Sequence, residues 1–471
     1  AALTLASVAV APASAAPRGL KTGISYVDSN EAAAMAHVRE TGATFAQVPL
    51  RWAVVAPSIE PKSWTPEDPA DPNYEWSFTD AWVTHAVEAG LTPVLQIRSA
   101  PPWADGCSQD SKYDATCDLD PAALAAFTRA AVRRYSGSFQ GLPRVKFWQG
   151  LNEPNLSLFY QPQFDGGKPV SPTSYRILLN GFYAAVKSVL PSDQVIAAGL
   201  GPIAVPGSTI GPMKFTRQLL CMGGGKKPKP TRGSCEGGVH FDIFDIHPYT
   251  SGSPTHKGGP NDVEMGDLEK LQNLLHAADR TGRIKNASKQ LTPLWITEFS
   301  YDSKPPDPGG LAMGIESQWI AEALHQAWLA GVPNFFWYSL FDAEPQPSRR
   351  FSETLQSGLY FWAPNVGDQQ PKPVISAYRF PFLAIRRGDG LEYWGKTPTN
   401  RGGRVVLQEQ TSRGWKRLAG AGANSVGIVK GFVRTSYGAD KKGAVRAVYA
   451  KQMSPGFPMR RAGDFPQPPF G

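Results

Sequence analysis

Residues 147–155 read FWQGLNEPN, and this stretch decides the fold prediction. An apolar, aromatic run around Trp148 gives way to Asn152 and Glu153, and Pro154 follows. Because proline cannot donate to a ladder of hydrogen bonds, the run is predicted to be a buried strand that ends at the Asn–Glu pair. A carboxylate at the end of a buried strand is costly unless another group pairs with it or the protein uses it.

A second carboxylate stands in the same kind of place. Residues 294–300 read LWITEFS, and Glu298 closes an apolar run that begins after Pro293. Two glutamates, each at the end of a predicted buried strand, indicate chemistry that needs a pair of carboxylates. We therefore treat Glu153 and Glu298 as the candidate catalytic residues.

Strand-like and helix-like patterns alternate along most of the chain. Six helices are predicted between the strands, at Asn30–Thr41, Asp80–Ala89, Pro121–Tyr135, Pro172–Val189, Val263–Ala278 and Ile315–Ala330. Eight strands are predicted, at Gly23–Val27, Phe45–Leu50, Pro93–Ile97, Val145–Leu151, Val195–Ala198, Phe241–Ile246, Leu294–Thr297 and Phe335–Ser339. Eight strands that alternate with helices or long loops predict an α/β fold, a (β/α)8 TIM barrel. A doubly wound sheet is the competing fold, but no glycine-rich phosphate loop follows the first strand.

The pattern changes towards the C-terminus. The segment KPVISAYRFPFLAIR (372–386) is predicted to be the last amphipathic helix, and short alternating runs between turns over 391–450 suit a small antiparallel β-sandwich. The chain of 471 residues is expected to divide into a signal-peptide remnant (1–16), the barrel (17–385), a β-sandwich domain (386–455) and a Pro/Gly-rich tail (456–471).

The N-terminal residues and the cysteines suggest secretion. Residues 1–17 contain a short apolar run followed by Ala13-Ser14-Ala15, a pattern typical of a signal-peptidase site. The four cysteines form two locally spaced pairs, which predicts the disulfides Cys107–Cys117 and Cys221–Cys235, because neither pair has the spacing or partners of a zinc site. We expect an extracellular monomer without a cofactor, a metal or a membrane span.

The positive charge is concentrated at one end of the chain. The net charge is +8, and residues 386–471 hold 16 Lys and Arg against 5 Asp and Glu. Such a region could bind an anionic polysaccharide or cell-wall surface, although a solvated cationic face is the simpler interpretation. No motif for nucleic acid accompanies it.

The ends of the predicted strands carry polar and aromatic residues, and these ends share one face in a barrel. They place Arg51, Asn152, His247 and Tyr249 near the two glutamates, with Trp103 and Trp337 as candidate platforms. Aromatic faces stack on sugar rings, and amides and imidazoles satisfy hydroxyls, so the set favours a carbohydrate substrate. Arg51 and Tyr249 are predicted donors that would keep Glu298 ionised.

WQGLNEPN, ITEFS, HPY and FFWYS together resemble clan A of the glycoside hydrolases, with families 39 and 5 the most similar, over about Lys21 to Ile385. The resemblance implies retaining hydrolysis, with Glu153 as acid/base and Glu298 as nucleophile. It also implies that Asn152 holds the 2-hydroxyl, that Tyr249 bonds the nucleophile and that Trp337 is the aromatic platform of strand eight. Arg51 matches the arginine at the end of strand two in these families. The resemblance also assigns His247 to the substrate-binding residues.

Two alternatives remain open at this point. A non-catalytic carbohydrate-binding barrel would keep the groove without turnover. A transglycosylase would use the same residues and replace water with a sugar acceptor.

Asp242 and Asp245, which precede His247, suggest a metal site, but too few further ligands lie nearby in the sequence.

Overall fold

The structure is a computed structural model that describes residues 19–107, 115–231, 235, 237–345, 355–387, 390–399, 403–418, 426–427, 432–437, 443–458 and 460–461. The predicted signal-peptide remnant lies outside this range, as do 11 of the 16 residues of the predicted Pro/Gly-rich tail. The four predicted domain ranges stay predictions.

Eight parallel strands form the main sheet, and each predicted strand is confirmed. They are β1 (Lys21–Ser25), β2 (Phe45–Arg51), β3 (Thr92–Arg98), β4 (Phe147–Gly150), β5 (Gln194–Leu200), β6 (Ile243–Ile246), β7 (Leu294–Trp295) and β8 (Asn334–Tyr338). Neighbours in sequence pair in order from β1 to β7, and β8 pairs with β1. A parallel bridge between Ile296 and Phe335 joins β7 to β8 and closes the barrel. The predicted (β/α)8 fold is therefore confirmed.

The barrel interior is layered because side chains alternate along each strand. Its lower layer is apolar and buried, and contains Phe45, Val94, Ile196, Ile243, Trp295 and Phe336, with Phe147 packed against it. Two residues further along β2, β4 and β6 the inward side chains are Gln47, Gln149 and Asp245, which bond to one another in series. The interior thus becomes polar on the way to the C-terminal ends of the strands, where the candidate site lies.

Helices cover the outside of the barrel. They are α1 (Ala32–Glu40), α2 (Ser77–Glu88), α3 (Pro121–Arg134), α4 (Ser171–Val189), α5 (Pro212–Leu219), α6 (Leu268–Arg280), α7 (Met313–Leu329) and α8 (Ile375–Arg379), with a short turn of helix at Trp52–Val55 and 3-10 turns at Met265–Asp267 and Val366–Asp368. The predicted start of α3 is confirmed, because the Asp120 side chain accepts a hydrogen bond from the Ala122 N–H at 2.8 Å. The sequence prediction omitted α5.

The predicted helix over 372–386 is wrong in its second half. The helix ends at Arg379, and Phe382–Arg387 is a strand that pairs antiparallel with Gly390–Lys396. Pro381 explains the change, because it cannot supply the N–H that would continue the helix. The apolar residues of FPFLAI therefore belong to a strand, although their spacing also fits a helix.

The C-terminal part is antiparallel, as predicted. Its longer strands are β9 (Phe382–Arg387), β10 (Gly390–Lys396), β11 (Arg404–Thr411), β12 (Gly414–Arg417), β13 (Phe432–Tyr437) and β14 (Ala444–Tyr449), with two-residue strands at Val426–Gly427, Gln452–Met453, Phe457–Pro458 and Arg460–Arg461. One sheet contains β9, β10 and β13, and the other contains β11, β12 and β14. Phe382 and Tyr393 of the first sheet share a buried core with Leu407 and Ala447 of the second, which makes this part a β-sandwich.

Short two-stranded ribbons and both predicted disulfides hold the barrel loops. The ribbons pair Thr116–Cys117 with Tyr160–Gln161, Phe164–Asp165 with Lys168–Pro169, Met222–Gly223 with Lys229–Pro230, Val239–His240 with Ile284–Lys285, and Ser303–Lys304 with Leu311–Ala312. Cys107 is bonded to Cys117 and Cys221 to Cys235, so both pairings are confirmed. Among the helices of the described residues, none combines the length and apolar character that crossing a membrane requires.

Candidate active site

Glu153 lies in the turn that follows β4, where the sequence placed it. Its φ angle is +40° and that of Leu151 is +64°, a backbone region that residues other than glycine rarely adopt. The Glu153 N–H donates to the Gly199 carbonyl at 3.1 Å, which fixes the turn against the end of β5. Backbone strain of this kind concentrates at functional sites. The Glu153 side chain is 10% exposed, so it lies in the interior but can be reached from outside.

Glu298 follows β7 on the opposite side of the barrel mouth. Its side chain is 14% exposed, and Oε2 accepts a hydrogen bond from the Tyr249 hydroxyl at 3.3 Å. Tyr249 itself packs against Phe299 with ring centroids 6.2 Å apart. The predicted contact between Tyr249 and Glu298 is therefore present.

One imidazole connects the two carboxylates. Nδ1 of His247 lies 3.0 Å from Glu153 Oε1 and 3.5 Å from Glu298 Oε2, so these two oxygens are at most 6.5 Å apart. Retaining glycosidases hold their carboxyl groups about 5–5.5 Å apart, and inverting enzymes about 6.5–9.5 Å apart. The upper limit in this structure is compatible with the retaining separation.

His247 is held from behind by Asp245 and Thr297, and it has no exposed surface. The Thr297 hydroxyl donates to Asp245 Oδ2, and its oxygen lies 3.1 Å from Nε2 of His247. Since that hydroxyl proton is already donated to Asp245, Nε2 must carry a proton to bond the oxygen. Asp245 therefore sets the orientation of the ring and turns Nδ1 towards the glutamates.

The electrostatics of this cluster are strongly coupled. Burial disfavours a charge on His247, but Glu298, Asp245 and Glu153 outweigh it and raise its pKa well above the ordinary value. Burial also raises the pKa of Glu298 to about 7, with the Glu153 charge acting in the same direction and His247 and Arg98 opposing it. The site thus holds a buried cation among three carboxyl groups, and perturbed groups of this kind are typical of active sites.

Asn152 lies beside Glu153 with one side of its amide engaged. Its Oδ1 accepts from Gln96 Nε2 at 3.1 Å, and the residue is 6% exposed. Among the described residues no partner is found for its Nδ2, which can therefore donate to a ligand. The assignment of O and N follows from the bond to Gln96.

Arg51 does not act on Glu298, contrary to the sequence prediction. Its guanidinium pairs with Asp28 at 3.0 and 3.2 Å and donates to the Tyr26 hydroxyl at 2.9 Å. Besides His247, the cation that lowers the pKa of Glu298 is Arg98, at the end of β3. Because β2 and β3 run in register, Arg51 and Arg98 are neighbours, and sequence alone could not tell which one faces the carboxylates.

Trp337 is not a platform, so that prediction is wrong. Its side chain has no exposed surface, and its Nε1 donates to the Ser357 carbonyl at 2.7 Å. Alternation along β8 is the reason: Phe336 and Tyr338 point into the barrel, so Trp337 points out towards α8, where it packs against Tyr378. Tyr338 takes the place at the mouth, and burial together with the nearby charges of Glu298 and Glu153 raises its pKa well above the ordinary value.

Trp103 follows β3, and none of its contacts among the described residues involves Glu153 or Glu298. Its Nε1 donates to the Pro57 carbonyl at 2.9 Å, and its ring packs edge-on against Trp52 and Trp64. It lines a cavity of about 270 Å³ together with Trp64 and Tyr74. A role for Trp103 as an outlying sugar platform stays a prediction.

The residues that sequence reasoning did not assign are Arg98, Tyr338, Asp245 and Gln96. Each lies at or near the C-terminal end of a barrel strand, so position along the strand was the available signal. Asp245 was considered only as a metal ligand. Its carboxylate is instead bonded to Thr297 and Gln149.

Solved structures with this fold include carbohydrate-active enzymes. A family 39 glycoside hydrolase from the gut symbiont Bacteroides cellulosilyticus WH2 is 17% identical, with 90% of this chain and 81% of that chain covered and a TM-score of 0.55. A glucosidase from Croceicoccus marinus is 15% identical, with 91% of this chain and 94% of that chain covered and a TM-score of 0.51. The chain shares the fold of these two enzymes. No protein-family model and no curated protein matches the sequence.

Proposed function

We propose that the protein is a secreted glycoside hydrolase that cleaves O-glycosidic bonds of a poly- or oligosaccharide with retention of configuration. The observation that carries the proposal is the placement of Glu153 and Glu298 on opposite sides of one barrel mouth, within 3.0 and 3.5 Å of the same nitrogen of His247. The shared fold with two glycosidases supports it, as does the motif resemblance.

In the first step Glu298 attacks the anomeric carbon while Glu153 transfers its proton to the leaving oxygen. The carbon–oxygen bond breaks, and a glycosyl ester forms on Glu298. In the second step Glu153 removes a proton from water, the water attacks the same carbon, and Glu298 is released as a carboxylate. The Tyr249 hydroxyl donates to Glu298, and Asn152 Nδ2 is available for the substrate hydroxyl next to the reacting carbon.

His247 orients both carboxyl groups in this scheme. Its ring is fixed by Asp245 and Thr297, so the positions of Glu153 and Glu298 depend on residues buried inside the barrel. Positioning of this kind is worth several kcal/mol of barrier when the reacting atoms are held at attack distance.

The assignment of roles can be tested by azide rescue of two variants. With an activated aryl β-glycoside, Glu298→Ala plus azide should give a glycosyl azide of inverted configuration, because azide enters the vacated nucleophile position. Glu153→Ala should instead give a glycosyl azide of retained configuration, because the glycosyl ester still forms on Glu298. Product configuration is read by NMR, and Glu88→Ala on the exposed end of α2 is the control. Unchanged hydrolysis in Glu298→Ala would contradict the proposal.

The two alternatives make different predictions in the same assays. A non-catalytic binding barrel would bind glycans without turnover by the unaltered chain. A transglycosylase would give glycosylated acceptor rather than free sugar when the acceptor concentration is raised. Secretion is supported by the two disulfides, which persist in oxidising compartments.

A further inference from the structure

A cavity of about 310 Å³ lies at the end of the barrel opposite the glutamates, where the barrel meets the β-sandwich. Lys21, the first residue of β1, and Thr44, which precedes β2, contribute to its barrel side, and Lys396 of β10 contributes to its sandwich side. Since Glu153 and Glu298 follow the C-terminal ends of β4 and β7, the cavity is separate from the candidate active site.

Alternation along β10 explains why Lys396 is buried. Tyr393 belongs to the core between the two sandwich sheets, whereas Trp394 packs against His325 and Trp328 of α7. Lys396 lies two residues after Trp394, so its side chain lies on the same barrel-facing side of the sheet. Lys396 is 5% exposed.

Lys396 has no counter-ion among the residues that the structure describes. Within the described part of the chain, its ammonium group forms no hydrogen bond or salt bridge. Burial alone lowers its pKa to about 8. A buried cation without a partner costs free energy. An anion bound in the cavity would pair with the Lys396 ammonium group and reduce that cost.

Three further cations surround the cavity at its exposed rim. These are Lys21, Arg39 at the end of α1, and Arg379 at the end of α8, and no acidic residue is among the described residues that line it. Arg379 is in electrostatic contact with Glu40, which also accepts a hydrogen bond from the Tyr360 hydroxyl at 2.7 Å. The described residues that line the cavity therefore include four positive groups and no acidic one.

The backbone next to the rim is shaped to admit one of these cations. Gly42 has a φ angle of +80°, and a Cβ at that position would lie 3.2 Å from Cγ of Arg379. A glycine is therefore favoured at position 42 both by its conformation and by the close approach of the arginine.

We propose that this cavity binds a phosphate or sulfate group, with Lys396 as the buried cation and Arg39 and Arg379 as rim cations. Arginine suits such groups because its planar guanidinium bonds two oxygens at once. The volume leaves room for the group to be carried by a larger molecule such as a substituted saccharide. In the sequence the excess of basic residues lies in the C-terminal part. In the structure one of these residues, Lys396, lines the cavity together with three cations of the barrel.

The first test measures the melting temperature and calorimetric binding with sodium phosphate or sodium sulfate, against sodium chloride of equal ionic strength. The unaltered protein should be stabilised by either oxyanion beyond the effect of chloride. Lys396→Met should melt at a higher temperature than the unaltered protein in the absence of oxyanion, and should lose the oxyanion response. Lys416→Met, at an exposed position of β12, should change neither property.

A second variant keeps the proposal testable if Lys396→Met does not fold. Arg39→Gln combined with Arg379→Gln alters only exposed side chains, and should weaken oxyanion binding at least tenfold while leaving glycosidase activity on a neutral aryl glycoside unchanged. Dextran sulfate and unmodified dextran distinguish the source of the group. Binding of dextran sulfate that depends on Lys396 indicates a polymer-borne group, and a response to the inorganic ions alone indicates a free anion. The proposal would be overturned if the oxyanions stabilised the unaltered protein no more than chloride does. It would also be overturned if Lys396→Met and the double arginine variant bound oxyanion as well as the unaltered protein.

Discussion

Nδ1 of His247 lies 3.5 Å from Oε2 of Glu298, and the same nitrogen lies 3.0 Å from Glu153. A single buried ring therefore contacts both carboxylates, and its positive charge lowers the pKa of Glu298. Since Asp245 and Thr297 fix that ring, changes deep in the barrel should alter chemistry at its mouth.

The activity of the unaltered protein should fall on the acid side of pH 7. Burial raises the pKa of Glu298 to about 7, so below that pH the carboxyl group is protonated and cannot attack the anomeric carbon. We expect kcat/KM for an aryl glycoside to drop about tenfold per pH unit there, with an apparent pKa that belongs to the coupled cluster. A flat profile between pH 5 and 8 would contradict this assignment.

Replacing His247 should move the fall in activity on the acid side of the pH profile, its acid limb, to higher pH. The positive charge of His247 lowers the pKa of Glu298, and a nearby opposite charge is worth roughly 1–3 pKa units. His247→Asn should therefore shift the limb upward by about one unit or more and lower kcat. His276→Asn, on α6, is the matched control and should leave the profile in place. An acid limb that stays where it was in His247→Asn would exclude an electrostatic role.

Replacing Glu298 with glutamine should stabilise the fold at alkaline pH. A rise in pKa from 4.5 to about 7 means that ionised Glu298 lowers the free energy of unfolding by about 3 kcal/mol. The loss develops as the pH rises from 4.5 to 7, because the unfolded chain releases the proton first. Glu298→Gln should thus raise the melting temperature more at pH 8 than at pH 5. The exposed Glu88→Gln should show no such difference, and equal gains at both pH values in Glu298→Gln would count against the burial argument.

Adding one methyl group at Gly199 should disturb the buried network. A Cβ there would lie 2.7 Å from Gln149 Nε2 and 3.0 Å from both Asp245 Oδ2 and His247 Nε2, and the φ angle is +59°. Gly199→Ala should therefore lower the free energy of unfolding by about 1–3 kcal/mol and reduce kcat. In α4, Gly181→Ala meets no atom within 4 Å and should be neutral or slightly stabilising. Denaturant unfolding and kcat should be measured on both variants, and matching results would show that the contacts at Gly199 can relax.

Lys372 ties the segments after β7 and β8 together through a buried ion pair. Its fully buried ammonium bonds Asp342 Oδ1 at 2.6 Å, Ser303 Oγ at 3.0 Å and the Gln356 carbonyl at 2.9 Å. Lys372→Met should lower the free energy of unfolding by about 3–5 kcal/mol, because Asp342 would be left buried without its partner.

The loss from Lys372→Met should be larger at pH 8 than at pH 5. Burial already raises the pKa of Asp342 to about 6 while Lys372 lowers it, so removing the lysine raises it further. The folded variant would then have to keep a proton that the unfolded chain releases. Denaturant unfolding at the two pH values checks this, with Lys416→Met as the exposed control. A small change that does not depend on pH would show that water replaces the ammonium group.

Local sequence was sufficient for the strands and for the two glutamates. Apolar runs that end at Asn152–Glu153 and at Glu298 have the length and composition of buried strands, and burial on both faces leaves little choice of register. Parallel strands then bring their C-terminal ends to one face, so the pairing of the carboxylates follows from the fold class. The two disulfides followed in the same way from short spacing.

The sequence did not determine in which direction individual side chains point. Trp337 and Tyr338 are adjacent aromatic residues, and only the register of β8 against β1 decides which one enters the barrel. Arg51 and Arg98 are interchangeable as isolated cations, and the ion pair of Arg51 with Asp28 decided between them. In 372–386 the helical spacing was overridden by Pro381 and by pairing with β10, a contact between segments.

The sequence by itself determined the barrel and the pair of carboxylates, because both depend on local hydrophobic pattern and on the shared direction of parallel strands. The tertiary structure alone decided how Glu298 is charged, because its pKa depends on burial and on His247 and Arg98, which come from other strands. It also decided where Lys396 lies, because side chains alternate along β10 and that of Lys396 lies on the face of the sheet towards the barrel. Charge and orientation at a site arise from groups distant in sequence, and only folding brings these groups together.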